Sequence, residues 1–294
     1  MMFQNTEMLN EAKKAKLQLK LYWLLPIIII YFFAFFMMPQ MILGTIFNQF
    51  PVSDTVAELS NLFINIITIM VGIFICTKIE RRSLASMGFT KEGIGKRYLV
   101  GLVMGALMLL TLVGGGVLLN AVKIESGTIS PVIMLYFLAF IIQGMSEEVA
   151  LRGFFMVSAS NRIPIPAAII ISSLVFAVPH YYFSGGELLY SINTLLGGIL
   201  LSTYILKTGH IWGASGFHTG LNFFGRCIFG AVGSSGSLFT VESNLPGKEL
   251  IGGNDYGISS GLIFTALNVV FILALFFFVN KAKNETPIPV FSKQ

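Results

Sequence analysis

Roughly eight apolar runs, each near the length that crosses a bilayer, follow one another along this chain: 21–43, 61–79, 99–122, 131–158, 164–183, 187–206, 211–229 and 258–280. A span takes about 20 apolar residues. In hydrocarbon every backbone polar group must find its partner within the protein, which leaves helices as the form for such runs. The fold class expected is therefore all-α, a polytopic bundle of about eight transmembrane helices. Only 11% of the residues are charged, 55% are hydrophobic, and the mean hydropathy is +0.80. A soluble domain carries about 25% charge, so a soluble enzyme on a single anchor is excluded, and no soluble domain of useful size is left between the runs. Segment 1–20 is polar and is expected to be cytoplasmic, as an amphipathic helix on the inner leaflet. The run after it is long and lacks a small-residue cleavage site, so it reads as a first span rather than a cleavable signal.

Basic residues set the orientation, because they gather on the cytoplasmic side of membrane proteins. Lys13, Lys14, Lys16 and Lys20 precede the first run, and Lys78, Arg81, Arg82, Lys91, Lys96 and Arg97 cluster around the connection between the second and third. Arg162, Lys207, Lys281, Lys283 and Lys293 follow the fourth, sixth and eighth. With eight spans all of these fall on one side, and both termini are cytoplasmic. The other side holds Lys123 and Lys248 against Asp54, Glu58, Glu125, Glu187, Glu242, Glu249 and Asp255. The chain then divides into a cytoplasmic segment 1–20, a bundle 21–280, an exposed, mobile extracytoplasmic loop 230–257 rich in Gly and Ser, and a cytoplasmic tail 281–294. The net charge of +5 lies between spans, so it is no nucleic-acid footprint. Cys76 and Cys227 sit in or beside apolar runs and read as small buried hydrophobes.

Against this apolar background the run Ser146-Glu147-Glu148-Val149-Ala150-Leu151-Arg152-Gly153 is anomalous. A charge at the centre of a span costs about 2.5–3.5 kcal/mol on insertion scales, so such charges pair, face a polar cavity or do chemistry. Glu148 and Arg152 are four apart and share a helix face, where they can pair. Glu147 points about 100° away. It either faces a wet cavity as a base or ligand, or pairs with Arg226 or stays protonated. Two further spans carry His180, one residue after Pro179, and the i, i+4 pair His218 and Asn222. Pro179 is expected to kink its helix. Ser215, Gly216 and Gly220 allow close helix approach, and His210 is expected at the membrane interface. Counting 1.5 Å per residue from the cytoplasmic helix ends puts Glu147 at about 20 Å, His180 at about 24 Å and His218 at about 10 Å. If the long fourth helix overhangs the membrane, the groups converge in the cytoplasmic half.

The ordered set Glu-Glu-x-x-x-Arg (Glu147, Glu148, Arg152), Phe-x-x-x-His (Phe176, His180) and His-x-x-x-Asn (His218, Asn222) resembles the CAAX prenyl endopeptidase and bacteriocin-processing family of intramembrane proteases, also called CPBP or Abi. Gly209-His210-Ile211-Trp212 looks like the family's approach to the third motif, and Met87-Gly88-Phe89 like a weaker upstream feature. The likeness covers about 130–225, the expected protease core. It implies an endopeptidase acting on a membrane-associated peptide or protein. Glu147 and His180 would hold and deprotonate a water. His218 and Asn222 would donate to the developing oxyanion. Glu148 and Arg152 would lock the geometry. The resemblance also admits a zinc ion on Glu147, His180 and His218, and a metal-free mechanism stands beside it. The compact form points to a bacterial cell membrane, with a leader peptide, pheromone precursor or membrane protein as substrate.

Three other readings have a basis in the sequence. Family members linked to bacteriocin immunity or scaffolding bind without cutting. Gly213-Ala214-Ser215-Gly216 matches a serine-protease Gly-x-Ser-Gly pattern, but no histidine lies on a later span to serve it. Buried Glu and His can relay protons in a transporter, but no internal repeat is visible.

Overall fold

The computed structural model describes residues 6–231 and 236–285. The chain is a helical bundle, with one two-stranded ladder among the described residues. After α1 (Glu7–Lys13) come α2 (Leu21–Gln49), α3 (Asp54–Ile79), α4 (Ile94–Leu118), α5 (Ile133–Ser160), α6 (Ile165–Phe183), α7 (Leu188–Thr208), α8 (Ile211–Phe223, continued as a π-helical turn over Phe224–Ile228) and α9 (Leu262–Glu285). All eight expected runs are helical. Among the described residues, six of them, α2 to α7, are long and apolar enough to cross a membrane.

Local chemistry sets several of the boundaries. Ser53 caps α3 by accepting from Val56 N at 3.4 Å, with Asp54 in the first turn, where a carboxylate suits the helix dipole. Gly209 ends α7 in the left-handed region (φ +74°), and His210 Nδ1 then accepts from Gly213 N to cap α8. Two residues therefore turn the chain between these helices. α6 runs through Pro179 as a continuous helix.

α5 is the axis of the bundle. Every residue from Ser146 to Ala159 is buried, and Val149–Met156 is π-helical. π-helical segments recur at functional sites. Backbone contact between α4 and α8 is close. A Cβ added at Gly216 would lie 2.1 Å from Tyr98 O, and one at Gly220 would lie 2.4 Å from Leu102 O. Gly101 and Gly105 do the same from the other helix, against Gly213 O and Phe217 O. The small residues thus have the packing role their spacing indicates. They let α8 sit between α4 and α5, where Thr219 Oγ1 accepts from Tyr98 Oη at 2.7 Å and donates to Phe140 O at 3.1 Å.

The bundle has two chemically different ends. At one end, Arg82 is buried rather than part of a solvated basic loop. It pairs with Glu80 at 2.7 Å and donates to Gly153 O and to Cys76 Sγ. Helix α1 also departs from expectation. Its apolar face, Met8, Leu9 and Ala12, packs into the protein core instead of lying on lipid. The Met87-Gly88-Phe89 segment docks on the start of α8 through Ile211 N to Gly88 O at 2.9 Å and Trp212 Nε1 to Thr90 O at 2.8 Å.

At the other end, β1 (Lys123–Ser126) pairs antiparallel with β2 (Phe239–Glu242) in the register Lys123 opposite Glu242. The 230–257 connection is not the freely exposed loop expected. Among its described residues Val241, Leu245 and Gly252 are buried, and Asn254 Nδ2 donates to Glu187 Oε1 at 3.1 Å. The tail from 286 onward lies outside the described residues. Cys76 and Cys227 are free and buried, as expected.

Candidate active site

Adjacent glutamates on α5 have different surroundings. Glu148 is fully buried. Its Oε1 accepts from Arg152 Nη1 at 3.0 Å and from His218 Nδ1 at 3.0 Å, and Oε2 has no hydrogen-bond partner among the described residues. Arg152, also fully buried, reaches on to Gly198 O at 3.2 Å and Ser202 Oγ at 3.4 Å on α7. The i, i+4 pairing expected of Glu148 and Arg152 is present.

Glu147 instead lines a cavity of about 650 Å³ together with His180, His218 and Asn222. Its Oε1 accepts from Gln143 Nε2 at 2.6 Å, and its Oε2 lies 3.4 Å from His218 Nε2. It does not pair with Arg226. That guanidinium grips Glu58 of α3 with two bonds, at 2.7 and 2.6 Å, and Tyr136 Oη donates to the same carboxylate at 2.8 Å.

The imidazoles are oriented by their second nitrogens, a control that fixes what the first can do. His180 Nδ1 lies 2.8 Å from Phe176 O. A carbonyl only accepts, so Nδ1 is the donor in this contact and Nε2 is left free of it. His218 Nδ1 faces the Glu148 carboxylate in the same way, which turns Nε2 toward Glu147. Phe176 explains its place in the second motif. Its ring lies edge-on to His180 and His218, with centroids 4.7 and 6.2 Å away, while the Arg152 guanidinium stacks 4.8 Å from its centre. The ring therefore stands between the sealed cation and the cavity.

Three predicted motifs thus meet at one place: Glu147, His180, His218 and Asn222 on the cavity, Glu148 and Arg152 behind it. The motif residues sit at different depths on their helices: His218 is seven residues from the start of α8 at the basic end, and Glu147 is near the middle of α5. His180 is three residues from the end of α6, and Tyr190, two residues into α7, shares the cavity. Ser215 is buried and its Oγ donates to Met145 Sδ at 3.3 Å, so it has no histidine partner there. His210 is buried and serves as a helix cap.

Gln143 was missed in the sequence. It donates to Glu147 and accepts from Asn222 Nδ2 at 2.8 Å, joining two motifs. Its position four residues before Glu147, on the same helix face, was the available signal. Glu58 was also missed, because it reads as part of a connection.

Zinc would need nitrogen and oxygen donors about 2.0–2.2 Å from one point. His180, His218 and Glu147 have the right chemistry, but among the described residues no three His, Cys, Asp or Glu side chains are grouped to hold a metal ion. The three side chains line one cavity, and no step is derived through an ion.

Fold and site together define a polytopic helical membrane protein with a carboxylate–imidazole cavity buried among its spans. Residues 128–224, about a third of the chain, match the family described as type II CAAX prenyl endopeptidase Rce1-like. The match takes in all seven motif residues from Glu147 to Asn222, and it agrees with the resemblance drawn from the motifs. At family level it supports an intramembrane endopeptidase, a hydrolase. No curated protein matches the chain.

Proposed function

We propose that this protein hydrolyses a peptide bond of a membrane-associated peptide or protein, with Glu147 as the general base. The observation that carries the reading is the split between the two glutamates. One is neutralised and sealed, and the other faces a cavity with two imidazoles beside it. Water held between Glu147 Oε2 and His180 Nε2 loses its proton to the carboxylate as it attacks the carbonyl carbon, a role worth about 10²–10⁴ in rate. The carbonyl oxygen gains the charge. Asn222 spends one amide hydrogen on Gln143 and keeps a second for that oxygen. His218 Nε2, oriented by Glu148, supplies the other donor when protonated. Such donors are worth about 2.7–4 kcal/mol each in other hydrolases. The proton on Glu147 then passes to the departing amine. Glu148 and Arg152 act through position alone.

The test is incubation of detergent-solubilised wild type and Glu147→Gln with a mixed peptide pool, read by mass spectrometry. Fragments are expected from wild type only. Fragments from both remove Glu147 from the mechanism. Fragments from neither move the protein toward a peptide-binding immunity or scaffold role without cleavage.

A further inference from the structure

We infer that a second cavity, beside the catalytic one, is a subsite for the extended backbone of the substrate peptide, with Asn61 and Gln40 as its binding residues. The naming of the ligand as substrate rests on the endopeptidase reading. The cavity and its unmet polar group do not.

This cavity, of about 530 Å³, lies among α2, α3, α5 and α8. It shares Glu58, Leu62, Phe140, Gln143 and Asn222 with the catalytic cavity, so the two adjoin along one wall. Its uncharged polar lining is of one chemical kind. Gln40 of α2, Asn61 and Asn65 of α3, Gln143 of α5 and Asn222 of α8 are all carboxamides.

Local structure explains some of these groups and not others. Helix α3 breaks at Ile64 and Asn65, between its segments Asp54–Phe63 and Ile66–Phe74. Asn65, 2% exposed, repairs the break, because its Nδ2 donates to Asn61 O at 3.0 Å and to Leu62 O at 3.1 Å. Across from it, α2 is π-helical over Phe32–Met37. Gln40 Nε2 donates to Phe36 O at 3.1 Å and reaches Asn65 Oδ1 at 3.5 Å. Gln143 and Asn222 bond each other, and Gln143 also bonds Glu147. Asn61 has no such duty. Its Oδ1 is buried and has no hydrogen-bond partner among the described residues. Buried polar atoms in native proteins are met in the great majority of cases, so an unmet one facing a cavity marks a place for a ligand.

The lining selects the class of ligand. A carboxamide offers donors and an acceptor without charge, and a peptide unit offers the same pair in N–H and C=O. A segment unwound for cleavage loses its helical hydrogen bonds, and within the membrane each freed backbone group must find a partner in protein. Asn61 Oδ1 and Gln40 Oε1 accept from two such N–H groups. A purely apolar chain would leave the carboxamides desolvated and unpaired, which is unfavourable. An ionic ligand would meet only Glu58, already held by Arg226, and exposed Asp54. A peptide crossing the shared wall at Gln143 has one flank of its scissile bond in this cavity while the bond itself faces Glu147.

The test uses the full chain in detergent, in the Glu147→Gln form, with a diazirine-bearing side chain at Ala57, which lines only the second cavity, or at Leu201, which lines only the catalytic one. The probes are a biotinylated pool of apolar peptides and the same pool N-methylated at alternate residues, which removes backbone donors. Photolabelling is expected at both positions from the unmodified pool. At Ala57 it should fall about tenfold with the N-methylated pool, and by a similar factor with Asn61→Leu, the size of one lost hydrogen bond. The comparison of pools leaves Asn61 in place, so it stands even if Asn61→Leu is unstable. Equal labelling from both pools overturns backbone recognition. Labelling at Leu201 alone, or at neither position, overturns the subsite. Cleavage of the unmodified pool by the unsubstituted protein is followed alongside, and Asn61→Leu is expected to raise KM with kcat little changed. A loss confined to kcat overturns the binding role. Labelling at Ala57 with no cleavage removes the endopeptidase reading and keeps the peptide site.

Discussion

Glu147 and Glu148 are neighbours in sequence and identical in chemistry, yet one is 4% exposed on a cavity wall and the other is 0% exposed in an ion pair. The difference comes from the 100° between successive helix positions. It directs Glu148 toward Arg152 and α7, and Glu147 toward the space enclosed by α6, α7 and α8. A buried ion pair offers little net stability but is costly to break. A carboxylate held by one amide and set beside two imidazoles is available for chemistry. The sealed half of the motif fixes the fold locally, and the open half has freedom to react.

The largest effect expected from breaking this contrast is at Arg152. Arg152→Met leaves Glu148 buried without its cation, and destabilisation by about 3–5 kcal/mol is expected, read as a fall in thermal midpoint in detergent. A melt like that of wild type would mean that Glu148 is not sealed as described. Next in size is Gly220→Val. Its Cβ meets Leu102 O, and overpacking of this kind costs about 1–3 kcal/mol. Melting should drop, and activity with it, because α8 carries His218. An unchanged melt would place α4 and α8 further apart than they stand here.

Gln143→Leu sharpens the contrast rather than breaking it. It removes the hydrogen bond to Glu147 and frees Asn222. A loss near tenfold in kcat, with KM and melting little changed, matches one charge-assisted bond of about 1.5–3 kcal/mol partly replaced by water. An equal loss in KM would assign Gln143 to substrate binding instead.

The smallest effect concerns His210, far from the cavity in the turn before α8. Burial first, then the positive charge of Arg97, pushes its imidazole down to about 4. The unfolded chain takes up that proton near pH 6.5. The stability contributed by neutral His210 is therefore complete above about pH 6.5 and is lost as pH falls toward 4. Melting of wild type should decline over that window more steeply than melting of His210→Asn, which keeps a cap acceptor and does not titrate. Parallel slopes would exclude His210 as the source.

Helix existence was legible because the apolar runs are long and the backbone must bond itself in lipid. The Glu148–Arg152 pair was legible because it is local, four residues on one helix. The contact between α4 and α8 was half legible, since the small residues of α8 stood out but not their partners Gly101 and Gly105. What was not legible depends on pairs distant in sequence or on helix ends. Glu58 finds Arg226 across 168 positions, and no local pattern marks that. Arg82 reads as one more base in a basic connection, and only folding shows it joined to Glu80 and the carbonyl of Gly153. Depth counted from helix ends did not show that the motifs meet. α5 is 28 residues long with a π-helical segment after Glu148, so equal counts along different helices do not give equal heights.

The claim that the two glutamates divide chemistry from structure is tested most directly by Glu147→Gln and Glu148→Gln side by side, each measured for peptide cleavage and for thermal melting. Glu147→Gln should melt with wild type and cleave nothing. Glu148→Gln should melt well below wild type. The opposite pairing, an unstable Glu147→Gln and a stable, inactive Glu148→Gln, would contradict the account.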